Sequence, residues 1–168
     1  DDFVGHGHEL AVRLWAAGLT VAESIRWGRP TAPHAVGGDA PDDIAAFLRG
    51  LHPASLKTGV EMARRGWFDG CRHLVDVGGG SGGVAVSLHR ALPEARLTVV
   101  ERDAVTPCTR QFLDAEGADA ERAVSADLLG DGTELESALG LPCDGVVCVS
   151  VLQVLGPHEA AQLVKRGG

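Results

Sequence analysis

The chain has 168 residues, 45% hydrophobic and 23% charged, the balance of a folded domain rather than a disordered tail. Its 15 Lys and Arg against 23 Asp and Glu leave a formal charge of −8, so its field repels phosphate backbones and anionic lipid, and neither nucleic acid nor membrane is an expected partner. No apolar run approaches the ~18 residues of a membrane helix and no basic-then-apolar leader opens the chain, which makes a cytoplasmic location the expectation.

In chain order, Leu10, Leu14, Ala17, Val21 and Ile25 recur at spacings of four and three. They predict one helix over Glu9–Trp27, ended by Gly28 and Pro30, with an apolar stripe that is core or interface. Thr31 to Ala40 reads as a loop. Pro41 and Asp42 open a second helix to about Leu51, broken at Pro53, and a third runs from Ala54 to about Arg65. Residues 1–68 therefore form a helical segment. From Cys71 the pattern changes: Leu74–Val77, Leu97–Val100, Ala123–Ser125 and Gly145–Val149 are short apolar runs, separated by helical stretches over Val84–Leu92, Pro107–Glu116 and His158–Lys165. Alternating strands and helices, with strands apolar on both faces, predict an α/β domain over residues 69–168 with a parallel sheet whose loops gather along one edge. Cys71, Cys108, Cys143 and Cys148 contain no C-x-x-C pair and are read as reduced, buried thiols.

Five glycines fall within the six positions Gly78–Gly83, directly after the first strand and before a helix. Such a loop lets a ligand lie against bare backbone at a helix N-terminus. Gly78, Gly80 and Gly83 satisfy G-x-G-x-x-G, the dinucleotide pattern. Asp76, Gly78, Gly80 and Gly82 satisfy acidic-x-G-x-G-x-G. Glu101 closes the second strand, where a carboxylate can accept both hydrogen bonds of a ribose diol, and Asp127 follows the third. Three acids on one edge, with no Arg or Lys in the glycine loop, disfavour a pyrophosphate and favour a nucleoside carrying a sulfonium and an ammonium, namely S-adenosylmethionine. An NAD-dependent oxidoreductase is the alternative that shares the strand, the glycine turn and the acidic strand end. His6 and His8 lack a third ligand nearby, so no metal site is expected.

Leu74 to Gly83 (LVDVGGGSGG), Thr98-Val99-Val100-Glu101, Ala126-Asp127-Leu128-Leu129 and Val151-Leu152 together resemble the successive motifs of the metal-independent small-molecule O-methyltransferases, of the caffeic-acid and antibiotic-tailoring type. The resemblance implies a Rossmann-like class I methyltransferase sheet preceded by a helical segment on the substrate and dimer side. It also implies secondary metabolism, a small hydroxylated acceptor and a homodimer in the full-length protein. By the same resemblance Gly78, Gly80 and Gly82 line the methionine part of the cofactor, Glu101 binds its ribose, and Asp127 with Leu128 contacts its adenine.

Two departures stand out. Where the family has the His that removes the acceptor's proton, this chain has Gln153, and an amide cannot take a proton at neutral pH. Gln153 and His158 are the candidate catalytic residues, with His52 a further possible base. Otherwise the reaction needs no strong base, or the chain is a catalytically impaired cofactor binder. The second departure is length. Four strands are legible, the chain opens with Asp1 and stops straight after a helical pattern, so a fragment truncated after the fourth strand is expected, with a bare strand edge prone to self-pairing.

Overall fold

The computed structural model describes residues 2–29, 31, 40–119, 122–130, 133–139 and 142–166. The chain divides into two compact units, Asp1–Pro53 and Ala54–Gly168.

In the first unit the helix predicted over Glu9–Trp27 is two helices, α1 (Asp2–Gly18) and α2 (Val21–Trp27). The break has a local cause. Thr20 donates both its N–H (3.1 Å) and its hydroxyl (2.8 Å) to the Ala17 carbonyl, closing a tight turn, and α2 restarts as Ser24 N–H bonds Thr20 O at 2.9 Å. Gly28, at φ 63°, ends α2 in the left-handed conformation, with Arg29 N–H reaching back to Ser24 O. Pro30 and residues 32–39 of the predicted loop lie outside the described residues. Of the apolar stripe only Leu10 is buried; Leu14, Val21 and Ile25 are exposed, as are Trp15, Leu19 and Trp27. A core role for the stripe is thereby corrected, and an interface role is left.

The two helices predicted on either side of Pro53 are one, α3 (Pro41–Arg64), with Pro53 inside it. A proline there removes one backbone donor and disfavours helix in the residue before it, a local cost that packing can offset. Side chains buried before it (Ile44, Leu48) and packing after it hold the helix together. Within the second unit that packing is close: a Cβ on Gly59 would lie 2.6 Å from Val84 O, and Ser87 Oγ donates to Leu56 O at 2.9 Å.

The second unit is built on β1 (His73–Val77), β2 (Arg96–Glu101), β3 (Ala123–Ser125) and β4 (Gly145–Val147). All pairings are parallel and the spatial order is β3-β2-β1-β4. Between and after the strands come α4 (Gly83–Ala91), α5 (Thr106–Ala115), α6 (Thr133–Leu139), a 3-10 turn over Leu152–Val154 and α7 (Pro157–Arg166). Neither α6 nor the 3-10 turn was expected, because both are short and mostly polar or irregular in pattern, and β4 stops two residues earlier than its apolar run. Val75, Val77, Val100 and Leu128 pack on one face of the sheet, and Leu74, Leu88, Leu97 and Val147 on the other. This two-sided burial is what the unbroken apolar runs predicted.

At the strands' N-terminal edge, Asp144 accepts the His73 N–H at 2.8 Å, and the two ring nitrogens of His73 meet Pro142 O (3.1 Å) and Thr98 Oγ1 (3.0 Å). These bonds tie β4 to β1 and occupy that histidine structurally. The opposite, C-terminal edge carries the loops.

Candidate functional site

The glycine loop leaves β1 through three left-handed residues, Gly78, Gly80 and Gly82, at φ 66°, 58° and 72°. It is held from below by Gly78 N–H to Val100 O (2.8 Å), Gly80 N–H to Glu101 Oε1 (3.0 Å) and Gly82 N–H to Gly79 O (2.9 Å). At Gly78 the demand is double, since the place a Cβ would need is taken by a methyl of Val151. At Gly79 a Cβ would stand 2.7 Å from Asp76 Oδ2 and from Val99 Cγ1. The main chain thus lies flush on the sheet, with Gly78, Gly79 and Gly80 half-buried and Ser81, Gly82 and Gly83 buried.

Asp76 sits beneath this loop, 2% exposed, and its Oδ2 has no hydrogen-bond partner. Burial, and secondarily the charge of Glu101, push its carboxyl up to about 7, against a backbone hydrogen bond from Ala85. Glu101, 9% exposed, is also raised by burial, although Oε1 accepts Gly80 N–H and Oε2 accepts Arg102 N–H at 2.9 Å. Asp127 lies on the same edge, because Ala126 N–H bonds Glu101 O at 3.0 Å, but it differs from the other two acids. It is exposed, its Oδ1 accepts Leu129 N–H at 2.9 Å, and its own N–H donates to Glu134 Oε2 at 3.2 Å. Leu128 is turned into the core. Beside Asp127, Ser125, Thr133, Glu134 and Ser137 line an open depression of about 530 Å³.

On the other side of β1, the chain leaving β4 turns sharply at Ser150, a non-glycine residue at φ 63°, and Val151 then covers Gly78. Gln153 follows, exposed, in the 3-10 turn. His158 is exposed on α7, with Nε2 3.0 Å from the Gln162 amide nitrogen. His52 is buried in the first unit.

Two residues that shape the loop were not anticipated. Thr109, fully buried, donates its hydroxyl to Gly80 O at 2.6 Å, and Val151 supplies the contact with Gly78. Thr109 had a legible signal: it is a polar residue beside Cys108 and Leu113 on the buried side of α5. Val151 was singled out only as part of the Val151-Leu152 motif, and its contact with Gly78 was not legible, because it joins segments more than 70 positions apart.

Chemically, a glycine main chain above one unpartnered buried carboxylate, with a second carboxylate at the neighbouring strand end, suits a ligand that brings positive charge and a diol. Among the described residues no three His, Cys, Asp or Glu side chains are grouped to hold a metal ion, and no helix is long and apolar enough to cross a membrane.

The chain is similar to known proteins in sequence and in fold. A sequence profile described as "O-methyltransferase domain" matches residues 24–138. The 3-hydroxy-5-methyl-1-naphthoate 3-O-methyltransferase of Streptomyces sahachiroi is 29% identical over 124 residues, covering 69% of this chain and 35% of its own. An O-methyltransferase family protein from Burkholderia thailandensis superposes with a TM-score of 0.82 at 20% identity, over 99% of this chain and 50% of the other. Human N-acetylserotonin methyltransferase, solved in complex with SAM, superposes with a TM-score of 0.62 at 18% identity, over 93% and 45%. The chain thus spans between a third and half the length of these proteins.

Proposed function

Because the chain belongs to the O-methyltransferase family, whose profile matches residues 24–138, we propose that the protein transfers a methyl group from S-adenosylmethionine to an oxygen of a small hydroxylated molecule. The observation that carries this reading is the unpartnered, buried Oδ2 of Asp76 beneath a glycine loop packed close on the sheet. That oxygen lacks a positive partner, and a cationic nucleoside supplies one. In this reading Gly78, Gly80 and Gly82 pass the methionine part along their backbone, Glu101 accepts from the ribose hydroxyls, and exposed Asp127 borders the adenine, whereas the contact expected of Leu128 is corrected because its side chain is packed in the core. When bound, the sulfonium supplies a methyl group already activated for transfer. The protein's own share is orientation and the exclusion of water, with Thr109 and Glu101 fixing the loop from beneath.

An NAD-dependent oxidoreductase fits less well. A pyrophosphate on this loop would face Asp76 and Glu101 with no cation among Gly78–Gly83. Calorimetric titration separates the two: S-adenosylmethionine is expected to bind and NADH not to. Glu101→Ala is expected to weaken that binding about 10- to 100-fold, the scale of one or two hydrogen bonds to a charged group. Unchanged affinity in Glu101→Ala, or preference for NADH, would remove the reading.

The helical first unit is assigned to the dimer side. Trp15, Leu19, Ile25 and Trp27 are 83%, 88%, 77% and 63% exposed, more apolar surface than a lone unit leaves to water. A homodimer is the expected mass by light scattering, and a monomer at tens of micromolar contradicts it. All four thiols are free, although only Cys108 is buried as expected and Cys71, Cys143 and Cys148 are half-buried, and free thiols support a reducing, cytoplasmic compartment.

A further inference from the structure

Resting on the transferase reading and its assignment of Glu101 to the ribose, we propose that Thr109 is a positioning residue for cofactor recognition. Its hydroxyl acts through Gly80 to aim the Glu101 carboxylate at the ribose hydroxyls.

The three residues form one chain of hydrogen bonds. Thr109 Oγ1 donates to Gly80 O at 2.6 Å, and Gly80 N–H donates to Glu101 Oε1 at 3.0 Å. The neighbouring loop amides are held by main chain, Gly78 N–H by Val100 O and Gly82 N–H by Gly79 O. Gly80 differs, because side chains from two separate elements, β2 and α5, take its N–H and its carbonyl. It has little stiffness of its own: it lacks a Cβ, sits at φ 58° and follows another glycine, so the peptides on either side of it can rotate at small steric cost. Anchoring the carbonyl on α5 restricts that rotation and keeps the N–H where it meets Oε1.

The anchor is firm. Thr109 is fully buried, so its hydroxyl depends on a protein partner, and 2.6 Å lies near the short end of the range for O–H···O bonds. Oγ1 also stands 3.3 Å from Val105 O, the rotamer in which a helical Thr turns its oxygen back to the preceding turn. At the other end of the chain, Glu101 Oε2 accepts Arg102 N–H at 2.9 Å, so each carboxylate oxygen is fixed by a backbone bond. Each has about two lone-pair sites and keeps acceptor capacity for a ribose hydroxyl. The last torsion of a Glu side chain is broad. Loss of the Gly80 bond therefore lets the carboxylate turn away from the diol.

The test compares S-adenosylhomocysteine with its deoxyribose counterpart by calorimetry. The unaltered protein is expected to prefer the ribose form about tenfold, the scale of one hydrogen bond to a charged group. Thr109→Val keeps the shape and removes the hydroxyl. It should weaken S-adenosylhomocysteine about tenfold and the deoxyribose form by less than about twofold, erasing most of the preference. Thr109→Ser should retain the preference. Should Thr109→Val fail to fold, Thr109→Ala read against Thr109→Ser gives the same comparison, because the two leave the same space and differ by the hydroxyl alone. Ser87→Ala removes a bond of the same kind elsewhere in the unit, Ser87 Oγ to Leu56 O at 2.9 Å; it should lower the urea midpoint and leave the preference intact. Equal weakening of both ligands in Thr109→Val would show that Thr109 only supports the fold and would overturn the proposal. So would an unchanged preference in that variant, loss of the preference in Thr109→Ser or Ser87→Ala, or equal binding of the two ligands by the unaltered protein. Failure of S-adenosylhomocysteine to bind the unaltered protein at all would instead overturn the transferase reading beneath it.

Discussion

Asp76→Asn is expected to make the ligand-free protein more stable above pH 7 while removing most of its affinity for S-adenosylmethionine. Asp76 titrates near 7 in the folded chain against an ordinary value of 3.8. Between those values the native state therefore binds more protons than the unfolded state, and stability falls as pH rises from about 4 to about 7, then levels off. The difference, at ~1.4 kcal/mol for each factor of ten, is on the order of 4 kcal/mol. The asparagine variant carries no such titration. Urea midpoints of the two proteins are expected to converge near pH 4 and to separate in favour of the variant at pH 8. Cofactor affinity should move the opposite way, falling on the order of 100-fold or more in Asp76→Asn at pH 8, because the carboxylate's missing partner is the ligand's positive charge. In the unaltered protein, affinity should rise with pH up to about 7 and then flatten. Parallel stability profiles for the two proteins, or equal affinities, would show that Asp76 is neither strained by its charge nor in use.

Gly78→Ala is expected to be the most damaging single methyl group. It must hold φ near 66°, which costs an L-residue about 1–2 kcal/mol, and its Cβ claims the space of a Val151 methyl, which adds about 1–3 kcal/mol of overpacking. The sum, about 2–5 kcal/mol, should appear in the urea midpoint, together with loss of measurable cofactor binding as the loop lifts from the sheet. Pairing the change with Val151→Ala separates the causes. The double variant should recover the steric part and retain the backbone part, so that about half of the lost stability returns. Complete recovery would show that backbone strain at Gly78 is negligible, and no recovery would show that the contact with Val151 is.

What could be read from the sequence was what neighbouring residues decide. Four apolar runs, each bounded by turn residues, marked the strands within a residue or two. The glycine run after β1 marked the loop, and the spacing from Asp76 to Glu101 marked the second acid, since a strand, helix and strand of ordinary length span that distance. Where the reading of elements failed, a small local group had changed the outcome. The Thr20 hydroxyl split one expected helix into α1 and α2. Pro53, taken as a break, was absorbed by α3 because residues on both sides of it are buried.

The site's chemistry was legible in kind and not in degree. Asp76, Glu101 and Asp127 looked alike as letters beside strand ends. Folding made them three different groups: one buried without a partner, one buried and held by two backbone N–H bonds, one exposed and closing a turn. That difference is a matter of solvent access and of which main-chain donors arrive from elsewhere, and neither quantity is a property of a residue and its chain neighbours. The same holds for Thr109 under Gly80 and Val151 over Gly78. Element type, strand count and the glycine loop follow from chain-local preferences, whereas proton affinity, loop support and the position of Gln153 depend on surfaces that meet only when β1, β2, α5 and the segment after β4 are packed together.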